Sequence, residues 1–234
     1  VTSPTFNVAT GKTATANGKM NIYSGTITGT LTGSGDIHLT ETEGPGTLTV
    51  VTGGALTGNK NITTYATNQG TLTLNSAVSS GDIKQIGASG TALGTVNVNH
   101  AGDNTFASAI YSNSLIFDTG ADGDLNGATV VNNLRINSGD VTTAADLSVG
   151  NEVLFTADGT LTVGGKSAAY IEAIDSDVHY QGTVTFNSQV NTFVSEDSGV
   201  GQIGATCKLK ALNVNYEGDN IFSETIRTQN FTLG

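Results

Sequence analysis

The feature that most constrains the fold is an internal repeat. Residues 97–106 recur as residues 213–222, at an offset of 116. Four more blocks recur in the same order, at offsets between 112 and 117; in the first copy they begin at Ile22, Gly46, Gly70 and Gln85. Five matched blocks in one order indicate a duplication. The sequence therefore predicts two tandem copies, repeat 1 over residues 1–116 and repeat 2 over residues 117–234, joined as one elongated domain.

A shorter period runs inside the copies. Pairs of apolar residues flanking one polar residue recur at steps of 24, 24, 19 and 19 residues, beginning at Leu48, Leu72, Val96, Leu115 and Leu134. Alternation of apolar and polar residues is typical of strands with one buried face, and helical periodicity is absent. Short strands at such steps suit a coil whose equivalent strands stack in parallel. The sequence predicts an all-β right-handed parallel β-helix (solenoid) of about eleven rungs.

Two β-sandwich domains, one per copy, are the alternative fold. Sandwiches consist of antiparallel hairpins whose tight turns favour Asn-Gly and Asp-Gly. Such dipeptides begin at Asn17, Asp122, Asn126 and Asp158. The steps between apolar pairs are longer than the roughly 8–12 residues between sandwich turns, and this favours the coil.

The composition excludes several classes of protein. Only 12% of the residues are charged and 31 are glycine, which is typical of short strands joined by turns and not of disorder. The net charge of −11 repels phosphates and anionic lipids, and argues against nucleic-acid and membrane-surface roles. Cys207 is the single cysteine and is predicted to be a small buried residue. The chain contains no pattern of a signal peptide or membrane helix, so we expect any export signal or anchor to lie outside it.

A family resemblance rests on a pattern present in both copies: Gly-Thr-[Leu/Val]-Thr-[Leu/Phe], then Val, then Ile-Gly, then Val-Asn. Its elements lie at residues 70–74, 78, 86–87 and 96–99, and again at residues 182–186, 190, 203–204 and 213–215. This pattern resembles the passenger repeats of rickettsial surface cell antigens, autotransporters of the outer-membrane protein B type. The resemblance implies an extracellular β-helical passenger on a Gram-negative surface, acting in adhesion or as a coat. It supplies no catalytic residue.

A calcium loop is one candidate site. Asp122, Asp124 and Asn126, followed by Gly127, have the Asp-x-Asp-x-Asn-Gly opening of such a loop. The twelfth position is Asn133 and not the expected bidentate glutamate. A solvated turn is the alternative interpretation, and it is the one we favour.

Other acidic segments are read as structural. Gly102-Asp103-Asn104 and Gly218-Asp219-Asn220 occupy the same place in both copies, and we predict turns in which Asp or Asn bonds its own backbone. Glu172, Asp175 and Asp177 form the densest acidic cluster of repeat 2. Paired carboxylates can cleave glycosides, but nothing in the sequence fixes their separation, and surface charge is the preferred interpretation.

Two further residue sets complete the candidates. His38, His100 and His179 share no metal-ligand spacing. Thr-x-Thr pairs can form an outward ladder that matches ice, although Asn97, Asn99 and Arg135 are expected to interrupt it. The pairs are Thr26/Thr28, Thr30/Thr32, Thr47/Thr49, Thr71/Thr73, Thr160/Thr162 and Thr183/Thr185.

The sequence thus predicts a non-catalytic segment of a bacterial cell-surface protein, without cofactor, metal site or catalytic residues. The expected location is extracellular. The expected partner is a host or neighbouring cell-surface protein or glycan, or copies of the chain itself. The alternative is a self-assembling subunit of a surface layer or filament. A polysaccharide-degrading enzyme and an ice-binding protein are weaker alternatives, and the absence of Trp speaks against the enzyme.

Overall fold

The computed structural model describes residues 5–39, 45–164, 170–188, 199–218, 220, 222 and 224–234. These residues contain strands and no helix, and they form a right-handed parallel β-helix of about 10 turns. All pairs between strands are parallel within this part of the chain, so the predicted fold is confirmed and the sandwich alternative is wrong. No helix in the described residues is long and apolar enough to cross a membrane.

Each of the first turns consists of three short strands, one on each face of the coil. The first face carries β1 (Thr5–Val8), β4 (Ser24–Ile27), β7 (Thr47–Val50), β10 (Gln69–Leu74) and β12 (Leu93–Val98). The second face begins with β2 (Thr13–Thr15), β5 (Thr30–Thr32) and β8 (Ala55–Leu56). The third face carries β3 (Met20–Ile22), β6 (Ile37–Leu39), β9 (Lys60–Thr64) and β11 (Ile83–Ile86).

In the later turns one long strand runs along both the third and the first face. These long strands are β14 (Ile110–Phe117), β16 (Thr129–Ile136), β18 (Leu147–Phe155) and β20 (Tyr170–Ser176), and β22 (Gly199–Ile203) pairs with β20. The second face continues as a seven-stranded sheet of β13 (Gly102–Phe106), β15 (Ala121–Leu125), β17 (Asp140–Thr143), β19 (Thr160–Val163), β21 (Gln181–Phe186), β23 (Leu209–Val214) and β24 (Thr228–Leu233).

The core consists of inward rows that run along the coil axis. The predicted apolar pairs stack in register: Leu48, Leu72, Val96, Leu115 and Leu134 form one row, and each is fully buried. Burying one such side chain contributes about 1.5–3 kcal/mol. Every turn adds a similar layer to its neighbour, so the core grows with the length of the coil.

The two copies are displaced by one face around the coil. In repeat 1, β10 and β12 lie on the first face, whereas their counterparts β21 and β23 lie on the second face. The local contacts are nevertheless retained, because the amide of Asn97 donates to Thr73 Oγ1 at 3.3 Å and that of Asn213 donates to Thr185 Oγ1 at 3.3 Å. The residues between equivalent strands therefore make whole turns plus one face.

The predicted boundary between the copies lies inside β14. Residues 116 and 117 both pair with β16, at Arg135 and Ile136, without interruption. The hydrogen-bonded ladder is thus continuous across this position.

Candidate functional site

The first face presents two outward rows of uncharged polar side chains. The row nearer the start of each strand, called the inner row, consists of Thr5, Ser24, Thr47, Thr71 and Thr95. The row two residues later, called the outer row, consists of Asn7, Thr26, Thr49, Thr73 and Asn97. Neighbours in each row are register partners. We call these ten residues the hydroxyl face. All are at least partly exposed, and none is charged, although the chain has a net charge of −11. Parallel strands about 4.8 Å apart fix the spacing along each row.

The structure sorts the predicted Thr-x-Thr pairs by face. Thr47/Thr49 and Thr71/Thr73 lie on adjacent strands of the hydroxyl face, whereas Thr160/Thr162 and Thr183/Thr185 lie on adjacent strands of the second face. Of the pair Thr26/Thr28, only Thr26 belongs to the hydroxyl face. Thr28 follows the end of β4, and its Oγ1 donates to the Val8 carbonyl.

The expected interruptions of the ladder lie at different places. Asn97 stands in the outer row, and its amide is bonded to Thr73. Asn99 lies beyond the end of β12, where its amide donates to Asn75 Oδ1 at 2.9 Å. Arg135 lies two strands further along the outer row, after Ile116. The polar part of the outer row therefore ends at β12, and the first charged residue of that row is Arg135 on β16.

Beyond the hydroxyl face the same rows become a depression of about 300 Å³. We call it the groove. It crosses β14, β16 and β18 and is lined by Ser114, Ile116, Asn133, Leu134, Arg135, Glu152 and Leu154.

A β-bulge places Glu152 in the groove. Between matched partners, β18 has one residue more than β16 and one more than β20, and the irregularity falls between Val149 and Val153. Bulges re-aim side chains and are frequent beside binding sites. The bulge is braced by Asn151, whose amide donates to Asn133 Oδ1 at 2.7 Å.

Glu152 has an altered acidity. Partial burial raises the pKa of this carboxyl group, the negative charges of Asp175 and Asp177 raise it further, and Arg135 acts in the opposite direction. Glu152 therefore retains a proton at a higher pH than an ordinary glutamate does. Sequence reasoning missed this residue, because its acidic neighbours lie on the next turn of the coil.

Within the predicted cluster of Glu172, Asp175 and Asp177, the carboxylate of Asp175 is bound to backbone N–H groups. Asp175 is only 4% exposed, and its two oxygens accept the backbone N–H groups of Ser176, Thr206 and Cys207 at 2.7 to 2.9 Å. These bonds lower the pKa of Asp175 despite its burial. Glu172 is exposed and accepts the Tyr170 hydroxyl at 2.6 Å. The interpretation as surface charge is wrong for Asp175, which has a structural role.

The calcium-loop candidate is part of a strand. Asp122 and Asp124 lie in β15, where side chains alternate between the core and solvent, and Asn126 follows the strand. Asp122 Oδ1 accepts the Asp140 N–H at 2.7 Å. The favoured interpretation as a turn is wrong for Asp122 and Asp124: Ala121 and Leu125 point inward, and Gly123 leaves room for the Phe117 ring. Among the described residues, no group of His, Cys, Asp and Glu could hold a metal ion.

The first Gly-Asp-Asn segment belongs to strand β13 and not to the predicted turn, but both segments contain the predicted contacts between the Asn side chain and nearby backbone. Asn104 is fully buried, and its amide donates to the carbonyls of His100 and Gly102, while Gly102 has a φ of 98°. Asn220 makes the same two contacts, to Tyr216 and Gly218 at 3.0 Å. Asp219, and with it part of the second segment, lies outside the described residues.

The remaining candidates are separate from one another. His38 is buried, and its Nδ1 pairs with Thr63 Oγ1 at 2.8 Å; His179 Nδ1 accepts the Lys208 N–H at 3.0 Å. His100 is partly buried, and its carbonyl accepts the Asn104 amide. Cys207 is half-buried, not fully buried as predicted, and is a free thiol.

Comparisons with known proteins identify no relative of the chain. No family model, no curated protein and no solved structure matches the chain.

Proposed function

We propose that the chain is a rigid, non-catalytic segment of a bacterial cell-surface protein, and that it attaches to its partner through the hydroxyl face. The partner is a protein or glycan on a host or neighbouring cell, and the location is extracellular. The observation that carries this proposal is an uncharged, register-locked face of ten residues on a strongly acidic chain. The resemblance to rickettsial autotransporter passengers supports the same role.

The hydroxyl face suits attachment for a physical reason. Its side chains are short, and strand pairing holds their backbone, on both sides in β4, β7, β10 and β12 and on one side in β1. Little conformational entropy is therefore lost when a partner orders them. Uncharged polar groups are also cheaper to desolvate than ionised ones. Many small contacts along a rigid surface can therefore add up to useful affinity.

The test is a charge substitution at the centre of the face. The double variant Thr49→Lys/Thr73→Lys places two ammonium groups in the outer row, and we expect its binding to cells to weaken by about tenfold or more, equivalent to about 1.4 kcal/mol. Labelled chain is incubated with epithelial cells and with Gram-negative bacteria, and saturable binding is measured by flow cytometry.

The matched control is Thr15→Lys/Thr32→Lys, which adds the same charges to β2 and β5 on the second face. It should bind as the unaltered chain does. The proposal fails if the unaltered chain binds neither cell type, or if both double variants bind equally well.

A second candidate, end-to-end self-assembly, is favoured by the last strand. Phe231 and Leu233 of β24 are 47% and 64% exposed, whereas their register partners Leu212 and Val214 are fully buried. Among the described residues no strand pairs with the other edge of β24. Such an edge can accept a strand, either from a further turn of the same coil or from a second copy. Sedimentation at rising concentration would give growing species that Leu233→Lys abolishes, whereas a concentration-independent monomer would exclude this candidate.

A further inference from the structure

The groove contains polar side chains that the protein itself does not use. Ser114, Arg135 and Glu152 line it, and no side chain of the three makes a hydrogen bond or a salt bridge with another described residue, although the charge of Arg135 acts on Glu152. The single ion pair within the described part of the chain, Lys210 with Asp158, lies elsewhere. A hydroxyl, a guanidinium and a carboxylate therefore face the same depression with their bonding capacity free.

The walls of the groove complement these groups. Ile116 and Leu154 line it at outward positions that are register partners of Arg135. Asn133 is held by two neighbours, since its Oδ1 accepts the Asn151 amide and its own amide faces the Asn113 carbonyl at 3.5 Å. The groove thus combines fixed polar groups with aliphatic surface, as ligand sites do.

We propose that the groove is a saccharide-binding site. Arg135 donates to sugar hydroxyls, Glu152 accepts from them, Ser114 does either, and Ile116 and Leu154 contact the C–H face of the ring. The proposal goes beyond attachment through the hydroxyl face, because the groove lies on later strands and the two surfaces share no residue.

The size of the groove sets the expected ligand and affinity. Its volume of about 300 Å³ is at the lower end of the range for ligand pockets, so it suits one or two sugar rings of a longer chain. No aromatic residue lines it, and the ring stacking that often strengthens saccharide binding is missing. We therefore expect a dissociation constant of about 1 mM, equivalent to about −4 kcal/mol.

Other ligand classes fit the groove less well. A peptide that adds a strand needs a free sheet edge, but β16 and β18 are paired on both sides. A bare cation needs a ligand cluster, and the described residues contain none. Vicinal hydroxyl groups of a sugar, by contrast, can bond in a bidentate manner to the N–H donors of Arg135 and to the oxygen acceptors of Glu152.

The test is titration calorimetry of the full chain with four neutral tetrasaccharides: cellotetraose, maltotetraose, laminaritetraose and tetra-N-acetylchitotetraose. At least one should bind near millimolar concentration. Glu152→Gln and Arg135→Ala should each weaken its binding by about fivefold or more. The matched controls Asp124→Asn and Lys84→Ala remove exposed charges outside the groove and should leave binding unchanged.

Three results would overturn the proposal. They are binding of none of the four sugars, equal binding by the groove variants, and binding of an oligolysine peptide in place of the sugars. The groove variants keep the hydroxyl face intact, so their binding to cells reports separately on attachment. Groove variants that lose sugar binding but keep cell binding support both proposals. An unaltered chain that binds cells but none of the sugars overturns the groove proposal alone, and one that binds a sugar but no cells overturns attachment alone.

Discussion

Lys60 and Asp175 are charged residues that lie buried against the backbone of a neighbouring turn. Lys60 is fully buried, and its ammonium group donates to the carbonyls of Thr32, Gly33 and Gly35. Desolvation lowers the pKa of Lys60, and the negative charge of Asp36 partly opposes this effect. Asp175 does the converse, because it accepts three backbone N–H groups. Each residue thus bonds backbone groups of a neighbouring turn, although the Thr32 carbonyl also accepts the Ala16 N–H.

Replacing Asp175 by asparagine is expected to destabilise the fold in a pH-dependent way. Asparagine has one oxygen where aspartate has two, so its NH₂ group faces either the Thr206 N–H or the N–H groups of Ser176 and Cys207 and cannot accept from them. We expect a loss of about 2–3 kcal/mol at neutral pH. The pKa of Asp175 is lowered from its ordinary value of 3.8, so the carboxylate stabilises the fold above that value. This contribution disappears as the pH falls through the lower, folded-state pKa.

Urea unfolding at neutral pH and near pH 3 measures the effect of Asp175→Asn. The difference from the unaltered chain should be large at neutral pH and should shrink in acid. Asp177→Asn is the control, because that side chain is exposed and should change stability little at either pH. A difference that is independent of pH would contradict the assigned role.

Single residues were predictable from sequence where they follow the alternation of strands. The inward Leu and Val residues do so, and they were found. Lys60 also occupies an inward position, two residues before Ile62, but an isolated lysine is normally assigned to solvent. The partners of Asp175 lie 31 and 32 residues away, so no local pattern reveals them.

At the scale of the strand, the glycines that follow sharp turns permit close packing of the next turn. Gly182 has a φ of 75°, and an added Cβ would lie 2.4 Å from the Phe155 ring. Gly53 has a similar φ of 84°, but an added Cβ would meet nothing within 4 Å. An added Cβ at Gly53 would therefore cause backbone strain alone, whereas at Gly182 it would cause both backbone strain and a steric clash.

Gly182→Ala is expected to destabilise the fold more than Gly53→Ala. Both carry the strain of a left-handed conformation, about 1–2 kcal/mol. Gly182→Ala adds the cost of displacing Phe155 from a packed core, about 1–3 kcal/mol. Thermal unfolding of both variants checks this order, and equal midpoints would mean that Phe155 moves without cost.

The stacking of strands was predicted correctly where it followed from the spacing of apolar pairs along the sequence. The steps of 24 and 19 residues are the distances between register partners, from Leu48 to Leu72 and from Val96 to Leu115. Prediction failed at β15, where Asp122, Gly123 and Asp124 suggested a turn, because a glycine that accommodates a neighbouring ring looks like a turn glycine. The bulge in β18 was also missed, since an extra residue is recognisable only against the neighbouring strands.

At the scale of the molecule, a coil held together by contacts between neighbouring turns need not be equally stable along its axis. The strands of the first turns have three or four residues, whereas β14, β16 and β18 have eight or nine. Longer strands form more ladder bonds with each neighbour. In such solenoids, local stability depends on the adjoining turns.

Hydrogen exchange is therefore expected to be slowest in the middle of the coil. Amides of β14, β16 and β18 should be the most protected, and those of β1, β2 and β24 should exchange first. Exchange followed by mass spectrometry of peptic fragments can resolve this gradient. Two separately protected blocks with fast exchange near residue 116 would contradict it, and would indicate that the two copies fold independently.

Because the two copies are displaced by one face around the coil, their equivalent surfaces point in different directions. The second copy has its own ladder, Thr160, Thr162, Thr183 and Thr185, and it looks out from a different side of the rod. One flat surface cannot touch both ladders at once, so a chain that used both would join two bodies and not grip one more tightly. In a longer array with the same displacement between copies, equivalent strands would lie on the same face again in every third copy.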